Sequence, residues 1–568
     1  MANYVYLVGP QRSVSAVCGH FPAAEVHRRP LPSPLLRRRG AAFISVGVDA
    51  CVGSHGYFKG YAIDHDQRAI GFGAAQAPEA EGVNAEGCFV RVRHGDDTTV
   101  VTGDYFGLMP RFVTSEGGVV AISDSLSSLC EIRRLLGLPV RINEGAVLSR
   151  AWENGAADQL HEEQTPIEGI RYCLPSSRIV ITTDQPELHV TVEFSSPEPE
   201  AVALAGSYEE LFAEAARRIL GVLGGLAGLN DTKVALALSG GLDSRTVLGG
   251  FRYLGVAGDV AIGSSPGAEK ERAVAEEVVA HCGLALGAAG SKAMWRPDRL
   301  TGWGMFNAGV YDPLVSPPKL PLGGDTFSLG GHGAEVCKGT YRWKSVRGVA
   351  RSAGAVAGPY AEAVARGIAP YGVSPQAASS AEWYNLGYRS PLHTGRFIMS
   401  GTFAGRPLLD RGLMLLARSP LNPQPRPRPA TPSIISDLLI AFDPTLATVP
   451  FAKDIEGLDA RYVAGRRARL PDLGEVPPYA TRGVPQAMPA GVSGFLADRA
   501  ADRGFAGGMS REAVLRQVER GWELVPDPIR SAFLPLRDQA LGELADPVAP
   551  SARPARAAGK IMLFALAG

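Results

Sequence analysis

The stretch VALALSGGLDSRTVLGG, Val234 to Gly250, places paired glycines, two serines and an aspartate where an apolar run gives way to a helical pattern. Paired glycines let backbone amides approach an anion closely, and the dipole of a following helix adds positive potential there. Ser239 and Ser244 can donate hydroxyl hydrogen bonds to phosphate oxygens. No lysine follows the glycines, so this is not the phosphate loop of an NTPase. Asp243 repels bare phosphate but becomes a favourable neighbour once Mg²⁺ lies between them. Ser239, Gly240, Gly241, Asp243 and Ser244 therefore read as a cradle for a magnesium-bound pyrophosphate group, with Leu238 and Ser239 offering backbone contacts at the strand end. The alternative is a plain glycine turn capped by Asp243.

Such a loop needs a buried strand that feeds a helix. Val234–Leu238 supplies the strand, "DVAIGSSPG" a second strand, and "AEKERAVAEEVVAHCGL" a second helix closed by Gly283. Apolar strands alternating with helices predict a parallel sheet, with ligand beyond the strands' carboxyl ends. "SYEELFAEAARRILGVLGGL" just upstream is an amphipathic helix. Residues 1 to about 203 differ: "FISVGVDACVG", "GCFVRVRHG", "TTVVTGDYFG", "GVVAISD" and "SRIVITTD" are short strand-like runs between turns, with one helix in "SDSLSSLCEIRRLLGL". The fold expected is α/β, α+β over the whole chain, as a β-rich layered domain (1–204) followed by a nucleotide-binding domain (205–568). From about Gly354 the pattern is mostly helical. The prolines of "RSPLNPQPRPRPATPS" predict an extended segment, and "ADPVAPSARPARAAGK" reads as a similarly loose tail.

SGGLDS resembles the pyrophosphate-loop signature of the asparagine synthetase family, which includes β-lactam synthetases and lasso-peptide cyclases. "GDYFGLMPRFV" and "EGIRYCLPSSRIVI" are similar to its glutaminase-type stretches, "LGGHGAEVCKGTY" to its second glycine-rich motif, and "GRPLLD" to its Pro-Phe-Leu-Asp motif, in the family's order and over nearly the whole chain. The resemblance implies a degenerate glutaminase-like domain of the N-terminal-nucleophile αββα type, then an adenine-nucleotide α-hydrolase-like domain. It implies ATP and Mg²⁺ as cofactors. It also implies an AMP-forming carbon–nitrogen ligase, in which a carboxylate becomes an acyl-adenylate that an amine attacks.

The departures from the family carry information. A working glutaminase of this type uses a cysteine directly after the initiator methionine; here Met1-Ala2-Asn3 begins the chain and the first cysteine is Cys18. Glutaminase activity is not expected, and the amine must come from a substrate. By family position, Gly331 joins the nucleotide contacts, Glu335 joins Asp243 as a metal ligand, and Gly263 and Ser264 lie near the adenine, with Glu271 at the start of the next helix. His332 stands where relatives carry glutamate or tyrosine. A histidine near neutral pKa suits proton removal from the amine, with Glu382 as the candidate that orients its ring. Lys453, the only lysine between Lys344 and Lys560, matches the family's catalytic lysine. The alternative for Lys453 is a surface lysine paired with Asp454.

The totals set the class. Of 568 residues, 45% are hydrophobic and 20% charged, with 57 basic against 57 acidic residues. That balance predicts a globular protein without bulk attraction to nucleic acid or anionic membrane. Seven cysteines without a CxxC pair, no signal-peptide pattern and no spanning apolar run predict a cytoplasmic protein free of disulfide frameworks and zinc sites. The leading expectation is lasso-peptide macrocyclisation in antibiotic biosynthesis. The side-chain carboxylate of an Asp or Glu in a precursor peptide would be joined to the peptide's N-terminal amine, alongside a leader-peptide protease and a leader-recognition protein. The alternatives are a β-lactam synthetase-like or other small-molecule amide synthetase, and a catalytically silent scaffold.

Overall fold

A computed structural model describes residues 4–29, 39–45, 51–52, 56–73, 85–183, 187–264, 269–287, 299–314, 326–398, 404–424, 432–483, 485, 493–546 and 555–568. The strand-like runs of the first two hundred residues form two sheets. One is antiparallel throughout, in the spatial order Arg171–Cys173, Arg111–Glu116, Val119–Ser123, Val5–Pro10, Arg39–Ile44, Val26–Arg29. The other runs His189–Phe194, Ser177–Thr182, Thr98–Gly103, Glu86–His94, Gly56–Asp64, Ala69–Phe72, Ala480–Arg482, with Cys51–Val52 beside Gly56–Asp64. Aromatic side chains join the two: Tyr57 of the second sheet stacks on Phe43 of the first, ring centroids 5.1 Å apart.

The glutaminase-like stretches are locked by buried polar groups. Asp104 accepts the amides of Leu108 at 2.9 Å and Met109 at 3.2 Å, closing a turn in which Gly107 has φ +65°. Arg111, fully buried, donates to Ser177 O at 2.6 Å and Leu174 O at 3.2 Å. Residues some sixty positions apart are thereby fastened together. The helix Leu126–Leu135 starts as its sequence predicts, with the Ser125 hydroxyl accepting the Ser128 amide at 3.1 Å.

In the second half Ser207 and Glu210 form a reciprocal cap on the helix Tyr208–Ala227. A parallel sheet follows, ordered Ala261–Gly263, Lys233–Ala237, Thr326–Leu329, Ala404–Gly405. Parallel neighbours require crossovers; the helix Leu242–Tyr253 lies in the one from Lys233–Ala237 to Ala261–Gly263, and Glu269–His281 in the one from there to Thr326–Leu329. The chain is thus mixed α/β, with two largely antiparallel sheets and a parallel one. No helix among the described residues is long and apolar enough to cross a membrane, and the described cysteines whose side chains are placed are all free.

The halves share one continuous core. Ala480–Arg482 pairs in parallel with Ala69–Phe72, Tyr61 donates its hydroxyl to Ala404 O at 3.1 Å, and Arg218 clasps Asp410 with bonds of 2.8 and 2.9 Å. The expectation of a loose tail is corrected beyond residue 555. Arg556–Met562 is a helix buried from Ala557 onward, and its fully buried Lys560 donates to Asp312 at 2.8 Å. The apolar run after Lys560 (Ile561 to Leu566) must leave water and takes the helix with it. Residues 547–554 of that tail, and 425–431 of the proline-rich segment, lie outside the described residues.

Candidate active site

The strand Lys233–Ala237 delivers the glycine loop to the carboxyl edge of the parallel sheet, where the Leu238 amide donates to Gly263 O at 2.7 Å. The loop hydroxyls turn inward: Ser244 Oγ accepts the Ser239 amide at 3.0 Å and lies 3.1 Å from Ser239 Oγ. Gly241 is the N-cap of the helix Leu242–Tyr253 and no side chain of the cap satisfies it. The Leu242 amide instead donates to Glu456 Oε2 at 3.1 Å. A carboxylate from more than two hundred residues away thus rests on the helix N-terminus, as the dipole and free amides favour.

The second glycine motif lies directly against the first. A Cβ on Gly331 would lie 2.4 Å from Ser244 N and 2.6 Å from Asp243 Cβ, so only glycine permits the contact. Two residues on, Gly333 has φ +102°, and its amide donates to Glu335 Oε2 at 2.8 Å. Glu335 Oε1 accepts the Thr394 hydroxyl at 3.3 Å. One turn after Glu335, Lys338 grips both oxygens of Asp243 at 2.6 and 2.7 Å.

These charges interact. Burial pushes the Asp243 carboxyl above its ordinary value; Lys338 pulls it back, while Glu335 and Glu456 push it further up. Burial works to lower the Lys338 ammonium, and Asp243, Glu456 and Glu335 overcome it, so Lys338 is raised and charged. The fields of Glu335 and Glu456 therefore both reach Asp243, and Lys338 is the ammonium bonded to it. Asp243, with Lys338 on both oxygens, and Glu335, on the Gly333 amide and the Thr394 hydroxyl, are the carboxylates here that could hold a hard divalent cation if those partners were displaced.

The loop carrying Lys453 is brought to the same place. The Ala452 amide donates to Gly240 O at 3.0 Å, and a Cβ on Gly240 would lie 2.5 Å from Ala452 Cβ. Arg245, fully buried in the helix Leu242–Tyr253, donates to Val449 O at 2.6 Å and Pro450 O at 2.7 Å, and its guanidinium lies 3.8 Å from the Phe451 ring centroid. Lys453 itself is 67% exposed, 4.0 Å from Glu456 rather than paired with Asp454.

Ser239, Gly240, Gly241, Asp243, Ser244, Gly331, Glu335 and Lys453 thus converge, with Leu238 and Gly263 on the adjoining strand ends. Ser264 is buried at 7% exposure just beyond Gly263, and Glu271 Cα lies 3.3 Å from where a Cβ on Gly240 would be. His332 is exposed next to Gly331, its ring 6.0 Å from that of His393.

The expected pairing of Glu382 with His332 is corrected. Glu382 is fully buried and accepts three backbone amides, those of Thr340 at 2.9 Å, Tyr341 at 2.7 Å and Trp343 at 3.0 Å. A carboxylate spent on backbone donors behind the loop cannot orient a solvent-facing imidazole; its role is to hold the chain after the motif.

Sequence reasoning missed Lys338, Glu456 and Arg245. Lys338 and Glu456 each stand three residues beyond a residue already singled out, Glu335 and Lys453, and one helical turn places such pairs on one face. Arg245 carries no such signal, because its partners are carbonyl oxygens. No family model and no curated protein matches this chain.

Proposed function

We propose that this chain is an ATP-dependent, AMP-forming carbon–nitrogen ligase without glutaminase activity, and that its reaction is the macrocyclisation of a peptide. The first half corresponds in this reading to a degenerate glutaminase-like domain and the second to an adenylating domain of the asparagine synthetase type. The observation that carries the reading is the contact of three separate loops at one helix N-terminus: Ser239–Ser244, Gly330–Glu335 and Ala452–Glu456.

The chemistry divides among these residues. A substrate carboxylate oxygen bonds to the α-phosphorus of ATP, and the bond to the departing pyrophosphate breaks. The amides of Gly241 and Leu242 and the hydroxyls of Ser239 and Ser244 receive that pyrophosphate, which requires Glu456 to leave the Leu242 amide and the serine pair to open. Magnesium held by Asp243 and Glu335, once Lys338 had released Asp243, would supply charge neutralisation there. The amine nitrogen then bonds to the acyl carbon, the carbon–oxygen bond to AMP breaks, and His332 takes the proton released by the nitrogen. Lys453, solvent-facing beside the loop, stabilises the negative charge on the acyl oxygen and the leaving phosphate.

A second reading, a silent scaffold, draws on Lys338, which occupies Asp243 as a permanent partner would. Exchange of radiolabelled pyrophosphate into ATP, dependent on an added Asp- or Glu-containing peptide, separates the two. Loss of one water from the peptide in mass spectrometry completes the test. Lys453→Ala should abolish product while leaving the thermal midpoint unchanged. Absence of exchange with every carboxylate tried, or near-normal turnover by Lys453→Ala, would sink the proposal; exchange with amino acids alone would move it to small-molecule amide synthesis.

A further inference from the structure

The chain directly after the second glycine motif is strained and expensively supported. Arg342 and Trp343 both adopt left-handed backbone, φ +54° and +58°, although neither is glycine. Such conformations cost about 1–3 kcal/mol each and persist only where surroundings over-determine them, which is why they cluster at ligand sites. Here the support is the buried Glu382 carboxylate on the amides of Thr340, Tyr341 and Trp343.

The strained turn forms one wall of an open cleft of about 320 Å³, facing Trp152 and residues 154–156 of the first half. Three cations line it, Arg342, Lys344 and Arg389, and no carboxylate does. Among the described residues Arg342 and Lys344 form no ion pair and both are exposed. Arg389 is half-buried, yet its guanidinium donates only to neutral oxygens, Gly155 O and, at 3.4 Å, Gln159 Oε1. The nearby carboxylates make their ion pairs elsewhere, Asp158 through Oδ2 to Arg556 at 2.9 Å and Asp312 to Arg150 and Lys560, although the field of Asp158 still reaches Arg389. A half-buried guanidinium with no carboxylate in direct contact, beside two cations that form no ion pair, is an arrangement that an arriving anion completes.

We infer that this cleft is a subsite for a carboxylate of the peptide substrate other than the one that is activated, seated on Arg342, Lys344 and Arg389 with its carbon chain against Trp152. The helix Glu335–Lys338 and the Gly339 turn link the subsite to the loop that touches Asp243, so an occupant would be anchored a short span from the reacting carboxylate. The substrate assignment rests on the ligase reading above; the anion site does not.

The probe is N-acetyl-Gly-Gly-Asp with a free carboxyl terminus, titrated calorimetrically without ATP or magnesium, beside its uncharged counterpart N-acetyl-Gly-Gly-Asn-amide. The acidic peptide is expected to bind saturably at one site and the amide not to. The double variant Arg342→Ala, Lys344→Ala should weaken binding by about tenfold or more at an unchanged thermal midpoint, since both side chains project into solvent. No binding of the acidic peptide, equal binding of acid and amide, or equal binding by the variant would overturn the inference. Binding together with absent pyrophosphate exchange leaves the subsite standing and removes the ligase reading instead.

Discussion

Replacing Lys338 by methionine tests whether this lysine holds the place of a cation. Its ammonium meets both Asp243 oxygens with side-chain exposures of 19% and 24%, between a surface pair, worth roughly 0–1 kcal/mol, and a buried one, whose breaking costs roughly 3–5 kcal/mol. About 2 kcal/mol of stability should be lost without divalent ions, because Asp243 is left beside Glu335 and Glu456 with no ammonium in contact. The same loss opens a metal site. A divalent ion at ten times its dissociation constant would return about 1.4 kcal/mol. Thermal midpoints measured by scanning fluorimetry in EDTA, then in rising magnesium without nucleotide, read both effects. Wild type should ignore magnesium alone; Lys338→Met should melt earlier in EDTA and recover on adding magnesium; Lys338→Arg should resemble wild type. A wild-type midpoint that rises with magnesium as far as the variant's does, or a variant indistinguishable from wild type in EDTA, would refute the reasoning.

Glu382→Ala strands three amides in the interior and should cost about 3 kcal/mol or more, lowering the thermal midpoint and abolishing acidic-peptide binding together, with Glu382→Gln milder. Asp104 is pushed from 3.8 up to about 6, burial outweighing the amides of Leu108 and Met109. Because the folded value is the higher one, its contribution to stability is complete below the unfolded value and is lost as pH rises through the folded value, about 3 kcal/mol across that window. Asp104→Asn should flatten this part of the curve of midpoint against pH, whereas a difference from wild type that is constant with pH would contradict it. Lys560→Met removes the Asp312 partner of the C-terminal helix, and about 3 kcal/mol should appear as early proteolysis after residue 545 in a timed digest.

The glycine loop was legible because its determinants are local: five apolar or small residues make the strand, and Gly240 and Gly241 make the turn. That the loop carrying Lys453 meets the glycine loop could be anticipated only through the family resemblance, helped by the scarcity of lysine there and the distance along the chain. The function of Glu382 was not legible, because a buried carboxylate is defined by the amides around it, and amides leave no trace in the sequence. Arg245 escaped for the same reason, its acceptors being the carbonyls of Leu446, Val449 and Pro450. The tail was misread for a different cause: its Pro, Ala and Arg content pointed to looseness, while the decisive apolar run begins only at Ile561. The two largely antiparallel sheets were anticipated as strands, but a strand from near residue 480 joining one of them could not be, since pairing partners far apart in sequence share no local pattern.

That strand has a consequence during synthesis. Ala69–Phe72 leaves the ribosome about four hundred residues before Ala480–Arg482 arrives to pair with it, roughly 20–80 s at about 5–20 residues per second. Throughout that interval the second sheet presents an open edge, the kind of edge that recruits strands from other chains. The nascent first half is therefore exposed to mispairing at that edge, and slowing translation should lower the yield of correctly folded chain.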